Sequence, residues 1–310
     1  MSACLIVRDP GLFATIQDMG RWGYLRYGVT NSGAMDRLSL QIANMLVGNH
    51  PGEAAIEFTA VGGTYEVAAE VCRVAIAGGE FPLTINGEKA FCLTSYTLSR
   101  GSQIVIGASE TGFRGYIAVF GGFDLPLALG SLSTLVHYKL GGIEGAPLAA
   151  GVKIPLRCEA VEPHKDRFLD ASLLPAKVGP IRVVMGPQDD YFTPQGINTF
   201  LSAPYTITGE SDRQGYRLEG PAIVHCSGAD IISDAILPGS VQVPGNGQPI
   251  IMMVDAQTTG GYTKIACVIG PDIDILAQLL PGRKIRFQKV SIEEAHKILR
   301  EREALFEELK

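Results

Sequence analysis

Glycine occupies 37 of the 310 positions, scattered from end to end with no three-residue period. That is about 12% of the chain, against a usual ~7%. Interleaved with 18 prolines, it breaks the backbone too often for long helices. Between the breaks lie short β-branched or alternating runs at Ala3–Arg8, Thr64–Val67, Val71–Ala77, Gln103–Ile106, Gly115–Phe120, Ile181–Met185, Ile250–Val254, Thr263–Ile269 and Lys284–Gln288. This pattern predicts a mainly β fold with many tight turns. Asn86-Gly87, between Leu83–Ile85 and Lys89–Leu93, predicts a type I′ hairpin because both central residues tolerate positive φ.

Few segments carry helical periodicity. Asp36 is placed to cap a helix bearing Leu38, Ile42, Met45 and Leu46, stopped at Gly48. Thr193-Pro194 predicts a second helix ending before Pro204, and Asp272–Leu280 a third, closed by Pro281-Gly282. Ser291 and Glu294 form a capping box opening a C-terminal helix with Ala295, Leu299, Phe306 and Leu309 as its apolar stripe.

The length allows two domains of roughly 150 residues each. Glu159–Gly179, with Pro163, His164, Lys165, Asp166 and Pro175 and no periodicity, is the predicted linker. The expected division is an N-terminal lobe over 1–160, a second lobe over 180–288 and a terminal helix over 289–310. A faint echo between Ala108–Val119 and Asp255–Ala266 hints at two related lobes.

Charge and cysteine usage exclude several function classes. The formal net charge is −6 and the Lys and Arg residues are scattered, so no electrostatic footprint for nucleic acid or an anionic membrane is expected. The six cysteines lie far apart without a Cys-x-x-Cys pair, predicting reduced thiols. The five histidines have no metal-ligand spacing, and no metal site is expected. No signal peptide and no apolar run of ~18 residues is found, which predicts a cytoplasmic protein.

Three polar, glycine-punctuated segments stand apart from ordinary turns. Pro10–Asp36 centres on Gln17-Asp18-Met19-Gly20-Arg21 and reads as a long irregular stretch. Gln17, Asp18 and Arg21 either contact a ligand or hold the loop through a local ion pair. Gly209–Gly220 places Asp212 and Arg213 beside Arg217 and Glu219. An Arg fork suits a carboxylate or phosphate, and an adjacent Asp can orient it or act as a base. A structural salt-bridge network would have the same appearance in sequence. Asp255–Lys264, between two apolar runs, presents Gln257, Thr258, Thr259, Gly260, Gly261 and Lys264. Its amides and Lys264 can receive an anion, or the glycines can simply turn a hairpin.

These segments carry a resemblance when taken in order. Pro10-Gly11-Leu12, Thr15–Arg21, Gly28-Val29, Ser32–Asp36, Glu57-Phe58-Thr59, Gly121–Asp124, Ser211–Gly220 and Gln257–Tyr262 together resemble the allophanate hydrolase subunit 2 family. That family includes the KipI antagonist and the C subunit of 5-oxoprolinase, and is related to the carboxyltransferase part of urea carboxylase. The resemblance spans about residues 4–288. It departs at Trp22 and Thr263, where the family often has Pro.

The resemblance implies cyclophilin-like β-barrel lobes and a role in ATP-dependent opening of the lactam 5-oxoproline to glutamate. It implies two partners, one like KipI or allophanate hydrolase subunit 1 and one like LamB/YcsF, with ATP used at the level of the complex. On this reading Asp212, Arg213, Gln257 and Lys264 are catalytic. Gln17, Asp18, Arg21, Thr258, Thr259, Gly260 and Gly261 bind substrate or cofactor. No Met-Lys-Met biotin site occurs, so carboxyl transfer would draw biotin from another protein. A carboxyltransferase acting on urea or allophanate, or a non-catalytic KipI antagonist, are the alternatives.

Overall fold

A computed structural model describes residues 3–158, 160, 166–175 and 179–309. Within the predicted linker, residues 159, 161–165 and 176–178 lie outside the described residues, including Pro163, His164 and Lys165. The chain forms two compact units, Met1–Trp22 with Ser32–Pro175, and Gly23–Asn31 with Ala176–Lys310. The fold is mainly β, as the glycine-broken short runs predict.

The first unit holds a six-stranded and a five-stranded sheet, with antiparallel pairing throughout. Leu5, Val7, Ile16, Phe58, Val74, Ile76, Ile104 and Ile117 share its core. The helix Arg37–Val47 packs on Val71–Gly78 and Arg114–Val119, so Arg114–Val119 is buried at every residue rather than alternating. Asp36 caps that helix by accepting from the Ser39 amide at 3.0 Å, and Gly48 ends it at φ +90°. Asn86 and Gly87 turn between Leu83–Ile85 and Glu88–Ala90 with φ +53° and +82°, as the dipeptide requires.

Phe13–Gln17 is a strand paired with Ala55–Thr59, where the sequence suggested part of one irregular stretch. The polar residues that follow it disguised an edge strand of only five residues.

The second unit is built on an eight-stranded sheet. Its order is Lys284–Ile285, Tyr205–Ile207, Gly215–Glu219, Ile250–Met252, Ser240–Gln242, Lys264–Val268, Ile181–Met185, Phe287–Lys289. The two edge strands are separated in sequence by Arg286 alone, which forces the sheet to roll round into a nearly closed barrel. A two-stranded ribbon, Asp230–Ala235 against Thr259–Tyr262, stands beside it.

Thr193 caps the helix Pro194–Ser202 through the Gly196 amide at 2.9 Å. The third helix runs Gly270–Ala277, earlier than predicted, because Gly270-Pro271 supply its first turn. In the terminal helix Ile292–Leu309, Phe306 is buried, but Leu299 is 41% exposed. The helix docks through Phe306 of the predicted stripe, joined by Arg302, which hydrogen-bonds Asp274 and the Pro271 carbonyl. Among the described residues no helix is long and apolar enough to cross a membrane.

Candidate functional site

The Gly209–Gly220 and Asp255–Lys264 segments meet within the second unit. Gly215–Glu219 pairs with Ile250–Met252 in the register Gly215 to Met252 and Arg217 to Ile250. The pairing continues beyond the strands, where the Met253 amide donates to the Gln214 carbonyl and the Asp255 amide to the Arg213 carbonyl, each at 2.9 Å. Arg213 then closes the junction with its side chain, donating to Asp255 from Nε at 2.7 Å and Nη2 at 3.1 Å. Both side chains are buried.

Beside this junction lies a cleft of about 1080 Å³. Its floor comes from the sheet and its rim from the loops that flank Gly215–Glu219 and follow Ser240–Gln242. Amide side chains dominate the polar lining: Gln214, Gln242, Asn246, Gln248 and Gln257. Glu210, Asp212 and Glu219 supply three carboxylates against the single cation Arg217, so the lining carries net negative charge. Arg217 itself is exposed, 3.8 Å from Glu210.

Local chemistry fixes the cleft residues. Asp212 Oδ1 accepts from the Gln214 amide at 2.7 Å and the Gly215 amide at 3.2 Å, an Asx turn that launches the strand. Gln248 ties down the far rim, its Oε1 accepting from the Gly220 amide at 2.9 Å and its Nε2 donating to the Gly220 carbonyl at 3.0 Å. Gln242 ends the strand Ser240–Gln242 and is 2% exposed, yet its Nε2 has no hydrogen-bond partner among the described residues.

Two of the predicted residues, Asp212 and Gln257, line this cleft together. Thr259, Gly260 and Gly261 form the strand Thr259–Tyr262 rather than a free loop, with Gly260 opposite Asp234. The Thr258 carbonyl accepts from the Ile236 amide at 3.0 Å. A Cβ on Gly260 would lie 2.7 Å from Gln242 Nε2 and 2.5 Å from Ile236 Cδ1, so only glycine allows the ribbon this close to Gln242.

Arg213 and Lys264, expected at an anion, both face carboxylates of the protein. The Lys264 ammonium, 4% exposed, donates to Asp234 at 2.9 Å. That hydrogen bond, followed by the Ala235 amide, holds the Asp234 carboxyl below its usual range.

Gln17, Asp18 and Arg21 belong to the first unit and anchor its 131–134 segment. Gln17 donates to the Thr134 carbonyl at 3.0 Å. Asp18 accepts from Ser131 Oγ at 2.7 Å, the Leu132 amide at 2.6 Å, Ser133 Oγ at 2.5 Å and the Gly20 amide at 2.8 Å. Arg21, also buried, hydrogen-bonds the Ser133 carbonyl.

Gln242 is not distinguished in the sequence. Its sole trace is an amide inside the run Ser240-Val-Gln-Val243, a pattern common to many strands. Among the described residues no cluster of three or more His, Cys, Asp or Glu side chains is placed to hold a metal ion.

Comparison with known proteins gives a consistent set of likenesses. The model of the carboxyltransferase domain, subdomain A and B, matches residues 27–289. The C subunit of 5-oxoprolinase from Escherichia coli (strain K12) is 34% identical over 299 residues, covering 96% of this chain and 95% of that one. Its counterpart of the same name from Haemophilus influenzae is 36% identical over 301 residues, covering 96% and 94%. The crystal structure of the K. lactis urea amidolyase superposes with a TM-score of 0.92 at 27% identity. It covers all of this chain, which spans 20% of the amidolyase chain.

Proposed function

The chain belongs to the carboxyltransferase subdomain A and B family, and on that premise we propose that it is the C subunit of a 5-oxoprolinase. The observation carrying this reading is near-full-length identity of 34% and 36% to two proteins of that name. The complex opens the five-membered lactam of 5-oxoproline to glutamate.

An amide carbonyl resists attack because nitrogen donates into it. Opening the ring requires donors at the carbonyl oxygen and a base for the attacking water. In the proposed pose, Gln257 donates toward the carbonyl oxygen. Asp212 takes the proton from water through Oδ2, its Oδ1 being held by two amides, and passes it to the ring nitrogen as the C–N bond breaks. Arg217 pairs with the substrate carboxylate.

Arg213 acts through Asp255 to join the two stretches, and Lys264 acts through Asp234 to set the ribbon carrying Thr258, Thr259, Gly260 and Gly261. These are positioning roles. In the first unit, Gln17, Asp18 and Arg21 order the 131–134 segment.

The resemblance also implies ATP, and the cleft does not suit it. Three carboxylates against one arginine repel a triphosphate, and Arg213 and Lys264 are bound to Asp255 and Asp234. No phosphoryl step is therefore assigned to this chain. ATP use belongs to the complex, with a KipI-like and a LamB/YcsF-like subunit as partners.

Reconstitution tests the proposal. The purified chain, each partner, and the mixture are assayed for glutamate formed from 5-oxoproline and ATP. Turnover only in the mixture is expected, and none in any combination rejects the reading. The urea amidolyase likeness favours carboxyl transfer as the second reading, which predicts avidin-sensitive carboxylation of urea in place of glutamate release.

A further inference from the structure

The side chain of Gln242 is the least explained polar group in the second unit. It is 2% exposed and lines the cleft, and its Nε2 has no hydrogen-bond partner among the described residues. No described residue donates to its Oε1 either. Buried polar groups in native proteins are paired as a rule, and an unpaired one points to a partner yet to arrive. The surroundings hold the amide in place. Gln242 pairs in register with Ile250 on one side and Lys264 on the other, and Gly260 packs against Nε2.

A primary amide presents one N–H and one C=O side by side. The ligand group that satisfies both at once offers C=O and N–H on the same edge. A single trans peptide amide cannot do this, because its C=O and N–H point in opposite directions; an extended residue does it through its own N–H and C=O, as Gly220 does for Gln248. A small lactam ring forces the cis arrangement and presents both groups together.

We infer that Gln242 is the specificity residue of the cleft, reading the cis-amide edge of a lactam through a paired hydrogen bond. Nε2 donates to the ring carbonyl and Oε1 accepts from the ring N–H. This deepens the proposed function and rests on it for the identity of the lactam. Gly260 belongs to the same device, since a methyl group at that position would enter the space occupied by Nε2.

The test uses the reconstituted complex and two ligands. One is 5-oxoproline. The other is its lactone counterpart, with oxygen replacing the ring N–H, tested as a competitor. Wild type is expected to prefer the lactam by roughly 10–100-fold, because the lactone leaves Oε1 facing a lone pair. In Gln242→Leu the preference falls to near unity, with KM for 5-oxoproline raised by a similar factor. The thermal midpoint of Gln242→Leu is expected to stay the same or rise, since an unsatisfied buried amide is removed. A residue kept for structure would lower it.

A second measurement covers the case in which Gln242→Leu does not fold. The side-chain amide resonance of Gln242 in the full chain is assigned by its loss in the near-isosteric Gln242→Glu and followed on adding 5-oxoproline. A downfield shift with the lactam, absent with the lactone, is expected. Normal turnover with an unmoved Gln242 resonance, or with lactam preference retained in Gln242→Leu, overturns the inference and leaves the 5-oxoprolinase reading standing. A shift without turnover in any mixture does the reverse.

Discussion

The Arg213 guanidinium holds both carboxylate oxygens of Asp255, and the backbones of the same two residues are joined by an amide-to-carbonyl hydrogen bond at 2.9 Å. Residues 42 apart in sequence are thereby fixed to each other by side chain and main chain together. The junction sets Asp212 and Gln257, each two residues or fewer from it, on the wall of one cleft. Arg213 thus serves the site from behind, with its charge neutralised by the protein.

Breaking that pair is expected to cost stability. Arg213→Ala takes the bidentate guanidinium away from the buried Asp255 carboxylate, a loss of about 3–5 kcal/mol. Chemical denaturation measures it directly. The double variant Arg213→Met/Asp255→Leu should recover most of the loss, because the buried carboxylate is removed with its partner. Unchanged stability with abolished turnover in Arg213→Ala would return Arg213 to ligand contact.

Asp212 separates charge from structure. Asp212→Asn keeps an acceptor for the Gln214 and Gly215 amides, so the Asx turn and the fold should persist. Loss of the general base is expected to lower kcat by roughly 10²–10⁴-fold with little change in KM. Asp212→Ala should add a modest stability loss of about 1 kcal/mol by removing the turn as well. Wild-type kcat in Asp212→Asn would remove Asp212 from the chemistry.

The Lys264–Asp234 pair predicts an acid-side effect. Asp234 has a folded-state pKa below the usual 3.8, chiefly through its hydrogen bond from Lys264. A carboxyl lowered on folding contributes stability that is complete above the unfolded pKa and disappears as pH falls through the folded one. Wild type should therefore exceed Asp234→Asn in stability near neutral pH. The two should converge below the ordinary carboxylate range. Denaturation midpoints across that range check it, and a difference independent of pH would contradict the assignment.

What was legible in the sequence was local. Asp36, Thr193 and Ser291 announce helix starts because a cap acts within three residues, and Asn86-Gly87 announces a turn because φ is a property of each residue. The distant partners were not legible. Nothing near Lys264 indicates that Asp234 will meet it from the neighbouring ribbon, and nothing near Arg213 selects Asp255 over a ligand. Gln242 was invisible for the same reason, since its importance lies in the absence of a partner, which only the folded surroundings reveal. Leu299 shows the converse error. Helical spacing placed it on the buried stripe with Ala295, Phe306 and Leu309, but the docked face runs through Ile298, Arg302 and Phe306 and leaves Leu299 at its exposed edge.

Asp18 provides the sharpest contrast between a binding residue and an anchoring one. Its two oxygens accept four hydrogen bonds, three from Ser131, Leu132 and Ser133 and one from Gly20. That leaves the carboxylate little capacity for a substrate, since two oxygens offer about four acceptor sites. Asp18→Ala strands the donors of a segment more than a hundred residues away and is expected to cost about 2–4 kcal/mol, because hydrogen bonds to a charged acceptor are the strong ones. Asp18→Asn should cost less, since it retains one acceptor oxygen. Both variants, assayed in the reconstituted complex well below their melting temperatures, are expected to keep KM for 5-oxoproline within about threefold of wild type, a change under ~1 kcal/mol. A large rise in KM with unchanged thermal stability would instead make Asp18 the substrate-binding residue that its position in the sequence first suggested.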